Sequence, residues 1–197
     1  MFYDTKSNAH GLRHDPMKAL VAPRPIGWIS TIGRDGIVNL APYSFFNMVS
    51  ENPPYVMFSS GSRKDSQRNA EETGEFVCSM ATYELREAMN ITSASVPPEV
   101  DEFVLAGLAA SPSRLVKPPR VAASPVALEC RYWQTITPPS RSAYTYSMVI
   151  GEVVGVHIDD RFVTDGLVDT VAMQPIARMG YMDYAVVDKK FTLGRPR

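Results

Sequence analysis

The sequence predicts a mainly β chain with flanking helices, of α+β class. Three observations predict it. Ile26–Ile32 and Ile37–Phe46 are β-prone runs joined through Arg34-Asp35-Gly36, and Asp-Gly is the strongest short hairpin signal. Val126 to Thr135 alternates with period two: Val126, Leu128, Cys130 and Tyr132 share one face, Ala127, Glu129, Arg131 and Trp133 the other. Ala143 to Ile158 is a long β-prone run carrying Gly151 and Gly155, the bulges or bends that closing a small barrel requires. At 197 residues and 45% hydrophobic content, a single domain with a sizeable core is expected over residues 1–197.

In chain order, Met1 to Asp15 reads as a polar arm, and its His10 and His14 carry no assignable chemistry. Pro16 to Leu20 leads into Val21-Ala22-Pro23-Arg24-Pro25, where two prolines suit an edge. After the hairpin, Tyr55-Val56-Met57-Phe58 makes a third strand behind Pro53-Pro54. Asp65 to Thr73 is helical and stops at Gly74, with Ser62 and Asp65 spaced as a capping box. Glu75 to Met80 returns to β. Thr82 is the expected N-cap of a helix reaching Ile91, with Leu85, Ala88 and Met89 at helical spacing over one barrel end. Thr92 to Pro98 is a loop, and Glu99 to Leu108 a second short helix with Phe103, Val104 and Leu108 inward. Ala109 to Ser124 is a Pro- and Ser-rich excursion of the same domain. Past the long strand, Asp165-Gly166 marks a turn, Leu167 to Met173 a short element, and Pro175 to Tyr184 a segment with Arg178 and Gly180.

Several functions are excluded early. A net charge of −1 gives no reason to expect nucleic acid or a membrane surface. No run of 18 apolar residues exists and the first fifteen residues lack the pattern of a signal peptide, so a cytoplasmic protein is expected. Cys78 and Cys130 sit in apolar strand-like runs and read as buried reduced thiols. With three histidines, no zinc or iron template appears, and no metal is expected. No G-x-G-x-x-G is present, and Ser60-Gly61-Ser62 lacks the hydrolase frame.

Two stretches carry candidate chemistry. Ser59, Ser60, Ser62, Arg63, Lys64 and Ser66 crowd before the Asp65–Thr73 helix, where free N–H groups, the macrodipole and two cations suit a phosphate; plain helix capping explains them too. Asn39 to Asn47 places small residues, Pro42 and Ser44 among aromatics at a strand end. That pattern suits a flat ligand with a polar edge, or an ordinary strand end with Phe45 and Phe46 in the core. Lys117 and Arg120 reach either a ligand phosphate or solvent.

The ordered set PRPIGWIST, DGxxNLAPYSFFN, PPYVMFSS, RKDSQRN, ETGEFV, SPVALEC, GEVVGVHI and PIARMGYMDY resembles the flavin reductase-like, FMN-binding split-barrel family, of flavoredoxin type. The resemblance covers nearly the whole chain, roughly Pro16 to Lys189. It implies an antiparallel Greek-key split barrel holding FMN, with NADH or NADPH as electron donor. By this resemblance Asn39, Ala41, Pro42, Tyr43, Ser44, Phe45 and Phe46 border the isoalloxazine ring, and Ser59, Ser60, Arg63, Lys64 and Ser66 anchor its phosphate. It puts His157 near flavin and nicotinamide as the candidate catalytic residue, against the reading of a packed, hydrogen-bonded histidine. Arg178 is either a structural cation or a wall of the flavin or nicotinamide-phosphate site. A homodimer is implied, for which Tyr144, Tyr146, Tyr181 and Tyr184 would suit the interface, as they would monomeric packing. Electrons would pass to free flavin, a monooxygenase partner or another acceptor. An FMN-binding electron carrier without nicotinamide turnover and a non-enzymatic ligand-binding barrel are the alternatives.

Overall fold

The computed structural model describes residues 1–196. Pro16 opens a one-turn helix, α1 (Met17–Leu20), and the first proline-flanked strand is β1 (Arg24–Pro25). The expected hairpin is β2 (Gly27–Ile32) and β3 (Val38–Tyr43), turned where Gly36 takes a φ of 84° and Asp35 Oδ1 accepts from Ile37 N at 3.0 Å. The return strand does not run on to Phe46. Its pairing ends where Tyr43 meets Gly27, the first residue of β2, and with no partner on its other side β3 has nothing to hold it further. The chain turns at Ser44-Phe45 and begins β4 (Phe46–Glu51), which pairs with β5 (Pro54–Gly61).

Helix α2 (Asp65–Thr73) stops at Gly74 as expected, in the left-handed conformation with a φ of 80°. Its N-cap is Lys64 and not Ser62. Ser62 sits at a φ of 61° and its hydroxyl donates to Gly61 O at 2.5 Å, so no capping box forms. After β6 (Glu75–Met80), Thr82 is drawn into a β-bridge with Pro175, which delays α3 until Arg86 (Arg86–Ile91) behind Leu85. The second predicted helix shrinks to α4 (Glu102–Leu105), capped by Asp101 Oδ1 accepting from Phe103 N at 2.8 Å. Phe103 is inward and Leu108 packs at the margin of its cluster, but Val104 is 78% exposed. One helical turn offers a single buried face, and Glu102 and Phe103 occupy it.

The Pro-rich excursion contains the ribbon β7 (Ala110–Ser111) and β8 (Arg120–Val121). Next come β9 (Val126–Ile136) and β10 (Tyr146–Ile158), the latter starting three residues later than expected. Asp165-Gly166 joins β11 (Val163–Thr164) to β12 (Leu167–Val168), and the last segment folds as β13 (Ile176–Arg178) and β14 (Tyr184–Val186).

Seven strands pair antiparallel in the order β3-β2-β6-β9-β10-β5-β4, while β1, β13 and β14 form a second small sheet. The chain crosses from β5 to β6 over two intervening strands, a Greek-key step. The two edges, β3 and β4, are consecutive in sequence and only two residues join them, so the sheet must curl until its edges meet. They come together without a ladder between them, and Ser59 N donates to Phe45 O at 2.7 Å beside the gap. The result is a split antiparallel barrel.

Both glycines of the long strand sit at breaks in the β9–β10 register, at Ile150/Gly151 and Val153/Gly155. At Gly151 a Cβ would stand 2.4 Å from the Phe76 ring, so the bend also makes room for a core aromatic. The interior holds Ile29, Phe58, Phe76, Cys78, Cys130 and Val149, and both cysteines are free, buried thiols. A second cluster, with Trp28, Leu40, Met89 and Phe103, lies where α3 and α4 cover the outer face of β2 and β3.

Candidate functional site

Two adjoining hollows open at the barrel seam. The first, of about 310 Å³, is walled by Asn39, Ala41, Pro42 and Tyr43 of β3, the start of α2, the loop Thr92–Val96 and Glu102. The second, of about 260 Å³, runs past Pro42, Tyr43, Ser44 and Phe45 to Ser59, Gly61, Tyr146, Arg24 and Arg178. Pro42, Tyr43 and Lys64 border both. Ten of the residues singled out from sequence therefore converge here: Asn39, Ala41, Pro42, Tyr43, Ser44, Phe45, Ser59, Arg63, Lys64 and Ser66, with Arg178 the eleventh.

Their side chains divide the work unequally. The Ser66 hydroxyl donates to Asn39 Oδ1 at 2.7 Å, Asn39 Nδ2 donates to Glu102 Oε1 at 2.8 Å, and Leu40 N donates to Glu102 Oε2 at 2.9 Å. This buried chain ties α2 and α4 to β3 and uses up the Asn39 amide and the Ser66 hydroxyl. Burial raises the Glu102 carboxyl above its ordinary range, against the lowering effect of the Leu40 and Asn39 hydrogen bonds. Ser60 does not reach either hollow: side chains alternate along β5, so Ser59 faces outward and Ser60 lies fully buried, donating to Ser62 O at 2.9 Å. Burial likewise pushes the Tyr43 phenol up, with Ser66 and Ser60 beside its hydroxyl.

The two cations also part. Arg63 lies back along α2, 2.8 Å from Glu71 and 3.5 Å from Glu72, and the Glu71 hydrogen bond raises its pKa. Lys64 enters no ion pair among the described residues and stands where the hollows meet, beside the first turn of α2. There the N–H groups of Asp65, Ser66 and Gln67 have no acceptor within the helix.

Phe45 lines the second hollow, with the Tyr146 ring 5.8 Å away and the Arg24 guanidinium 5.8 Å from its centroid. Phe46 turns the other way, into the space left by Gly27, where a Cβ would lie 2.4 Å from its ring. Arg178 donates to Tyr184 Oη and Tyr181 O, each at 2.5 Å. Opposite it in register is Arg24, which donates to Lys18 O, to Val21 O at 2.5 Å and to Met179 O at 2.6 Å. Burial, then the charge of Arg178, lowers the pKa of Arg24. Its Nε is buried without a partner. Arg24, Tyr146 and the loop Thr92–Val96 were not foreseen as site walls; the one signal for Arg24 was its confinement between Pro23 and Pro25.

His157 is not brought to the hollows. It lies near the far end of β10 from Tyr146, opposite Ala127 in β9, and its Nε2 meets Glu129 Oε1. Glu129 is fully buried and also accepts from Arg114 N at 2.7 Å, Leu115 N at 2.6 Å and Val116 N at 3.2 Å. Within the chain this histidine is a clasp on the 114–116 loop, the packed reading. Lys117 and Arg120 stay away as well: Lys117 N donates to Glu75 Oε2, and Arg120 bonds Ser111 Oγ and Pro112 O.

The adjoining hollows suit a ligand with an anionic tail and a flat body. Lys64 and the free α2 N–H groups offer positive charge for such a tail, and Phe45 and Tyr146 offer aromatic surface for such a body. Among the described residues no helix is long and apolar enough to cross a membrane, and no group of three metal-ligating side chains occurs.

Residues 18–172 match the family model described as flavin reductase like domain. An uncharacterized protein of Aquifex aeolicus is 40% identical over 167 residues, covering 82% of this chain and 83% of that protein. Among solved structures, nitrilotriacetate monooxygenase component B from Bacillus cereus superposes with a TM-score of 0.88 at 30% identity, over 98% of each chain. A protein with a split barrel domain from Shewanella frigidimarina gives 0.87 at 24% identity over 100% of each chain, which speaks to the fold alone. On the matched domain, the identity of these relatives and the split barrel itself, the chain belongs to the flavin reductase-like family.

Proposed function

We propose that this protein is an FMN-dependent oxidoreductase that takes electrons from NADH or NADPH and delivers them to free flavin or to a partner protein. The observation that carries the reading is the placement of Lys64: an uncommitted cation at the head of α2, bordering both hollows. Lys64 and the first N–H groups of α2 neutralise and orient the phosphate in the first hollow. The hydroxyl-bearing loop Thr92–Val96 flanks the polyol chain, and the Asn39–Ser66–Glu102 network keeps α2 and α4 at the spacing this requires. In the second hollow the Pro42–Phe45 backbone borders the ring, with Phe45 and Tyr146 limiting water and Arg24 and Arg178 supplying positive charge beside it. Bound FMN supplies a hydride acceptor. The similarity to a monooxygenase component supports a monooxygenase as one acceptor.

We also propose a homodimer. Edge strand β4 exposes Met48 (53%) and Val49 (51%), and Trp133 is 57% exposed, while Tyr144, Tyr146, Tyr181 and Tyr184 all reach the surface.

The test is direct. FMN is titrated into purified apoprotein, and the visible absorbance of the bound flavin is followed anaerobically after NADH or NADPH is added. Saturable binding at one FMN per chain, followed by bleaching with at least one donor, is expected. Bound FMN that neither donor bleaches contracts the reading to an electron carrier, and failure to bind FMN overturns it.

A further inference from the structure

A third hollow, of about 340 Å³, lies outside the seam between α3 and the β13–β14 hairpin. Its floor is apolar: Met89 and Ile176 are buried there, with Val186 beside them. Its walls carry two guanidinium groups, each laid over a tyrosine. Arg86 stacks on Tyr83 at 4.1 Å, and Arg178 on Tyr184 at 4.5 Å. Both are also pinned by hydrogen bonds, Arg86 Nη1 to Tyr83 O at 2.7 Å and Arg178 to Tyr184 Oη and Tyr181 O.

Stacking covers one face of each guanidinium and fixes its plane, which lowers the cost of aligning the remaining N–H donors with a carboxylate or phosphate. The wall holds one carboxylate, Glu87, 3.5 Å from Arg86 and largely solvated, so two cations face one screened anion. A hollow that combines an apolar floor, tyrosine faces and two oriented cations selects for a flat apolar body bearing negative charge. Its volume falls within the range of about 300–1,000 Å³ usual for small-molecule sites.

We infer that this hollow binds a planar aromatic anion, either an aryl carboxylate or an adenine nucleotide phosphate. The inference shares Arg178 with the flavin reading and rests otherwise on residues outside the seam hollows, chiefly Arg86, Tyr83, Tyr184 and Met182.

Benzoate and adenosine monophosphate are the probes, each titrated by calorimetry into the purified protein with and without FMN. Saturable binding of either at one site per chain is expected; the one that binds identifies which source the site serves. Arg86→Gln, on the surface and away from the seam, should weaken that probe about tenfold while leaving the FMN titration superimposable on the parent. Met182→Glu, at a residue 80% exposed on the rim, should weaken it similarly by like-charge repulsion. The inference is overturned if neither probe saturates at millimolar concentration, if both variants bind as the parent does, or if FMN affinity falls in step with the probe.

Discussion

Arg63 and Lys64 are adjacent cations, equal on paper, and the fold sends them to different tasks. Lys64→Ala should cost about 2 kcal/mol of FMN affinity, roughly thirtyfold, with an unchanged melting temperature. Arg63→Ala should leave FMN affinity alone and cost a few tenths of a kcal/mol in stability, about what an exposed ion pair is worth. Flavin fluorescence titration and thermal denaturation read the two effects separately. At Glu129, burial acts to raise the carboxyl, but the His157 hydrogen bond and the Arg114 and Leu115 N–H groups outweigh it, and the pKa is held below the ordinary carboxylate value. A carboxyl depressed in the fold binds fewer protons folded than unfolded. Its contribution is therefore present above the ordinary carboxylate range and is lost as pH falls through the depressed value. Glu129→Gln should remove about 3 kcal/mol at neutral pH and flatten the acid limb of urea-measured stability against pH. His157→Asn should lower stability by about 1–2 kcal/mol and leave flavin-reduction kcat unchanged; a collapse of kcat in a folded variant would restore the histidine to the chemistry. Lys64 was legible because the helix behind it was. The duty of Glu129 was not, because its partners come from the 114–116 loop and from β10, and alternation says only which face a residue shares.

Among the elements, the period-two runs, the Asp-Gly hairpin and the Gly74 stop all form as the sequence indicates. Gly151 and Gly155 mark the two register breaks, and the structure adds the reason: the Phe76 ring occupies the space beside Gly151, which the Arg131 carbonyl bounds 2.9 Å from a Cβ there. Gly151→Ala should destabilise the barrel by about 1–3 kcal/mol through overpacking, read as a lower urea midpoint with an unchanged slope. The misplaced boundaries share a cause. Thr82 is a sound N-cap residue locally, but Pro175, far along the chain, pairs with it and moves the helix start. Ser62 is a sound cap too, yet Ser62 N donates to Thr145 O at 2.8 Å, and its left-handed backbone hands the cap to Lys64. Local propensity loses in both places to a hydrogen bond that only tertiary pairing supplies.

For the whole molecule, the seam is both where the barrel stays unpaired and where the hollows lie, and the neighbouring edge strand presents unpaired backbone with exposed Met48 and Val49. Light scattering should give the mass of two chains for the parent. Val49→Arg should give that of one, since a buried unpaired charge costs several kcal/mol at an interface. A monomeric parent would remove the dimer. The sequence by itself determined the class of fold, the hairpin and the long central strands, the placement of helix α2 and the stretch from Asn39 to Phe45 beside it, because each rests on periodicity, turn chemistry or end effects among near neighbours in the chain. Tertiary structure alone decided that Ser60 and Phe46 turn away from the hollows, that Arg24 and the Thr92–Val96 loop line them, and that His157 meets Glu129 outside them. Those placements follow from how a seven-stranded sheet curls its first and last strands together, and no local pattern encodes which distant residues that closure brings into contact.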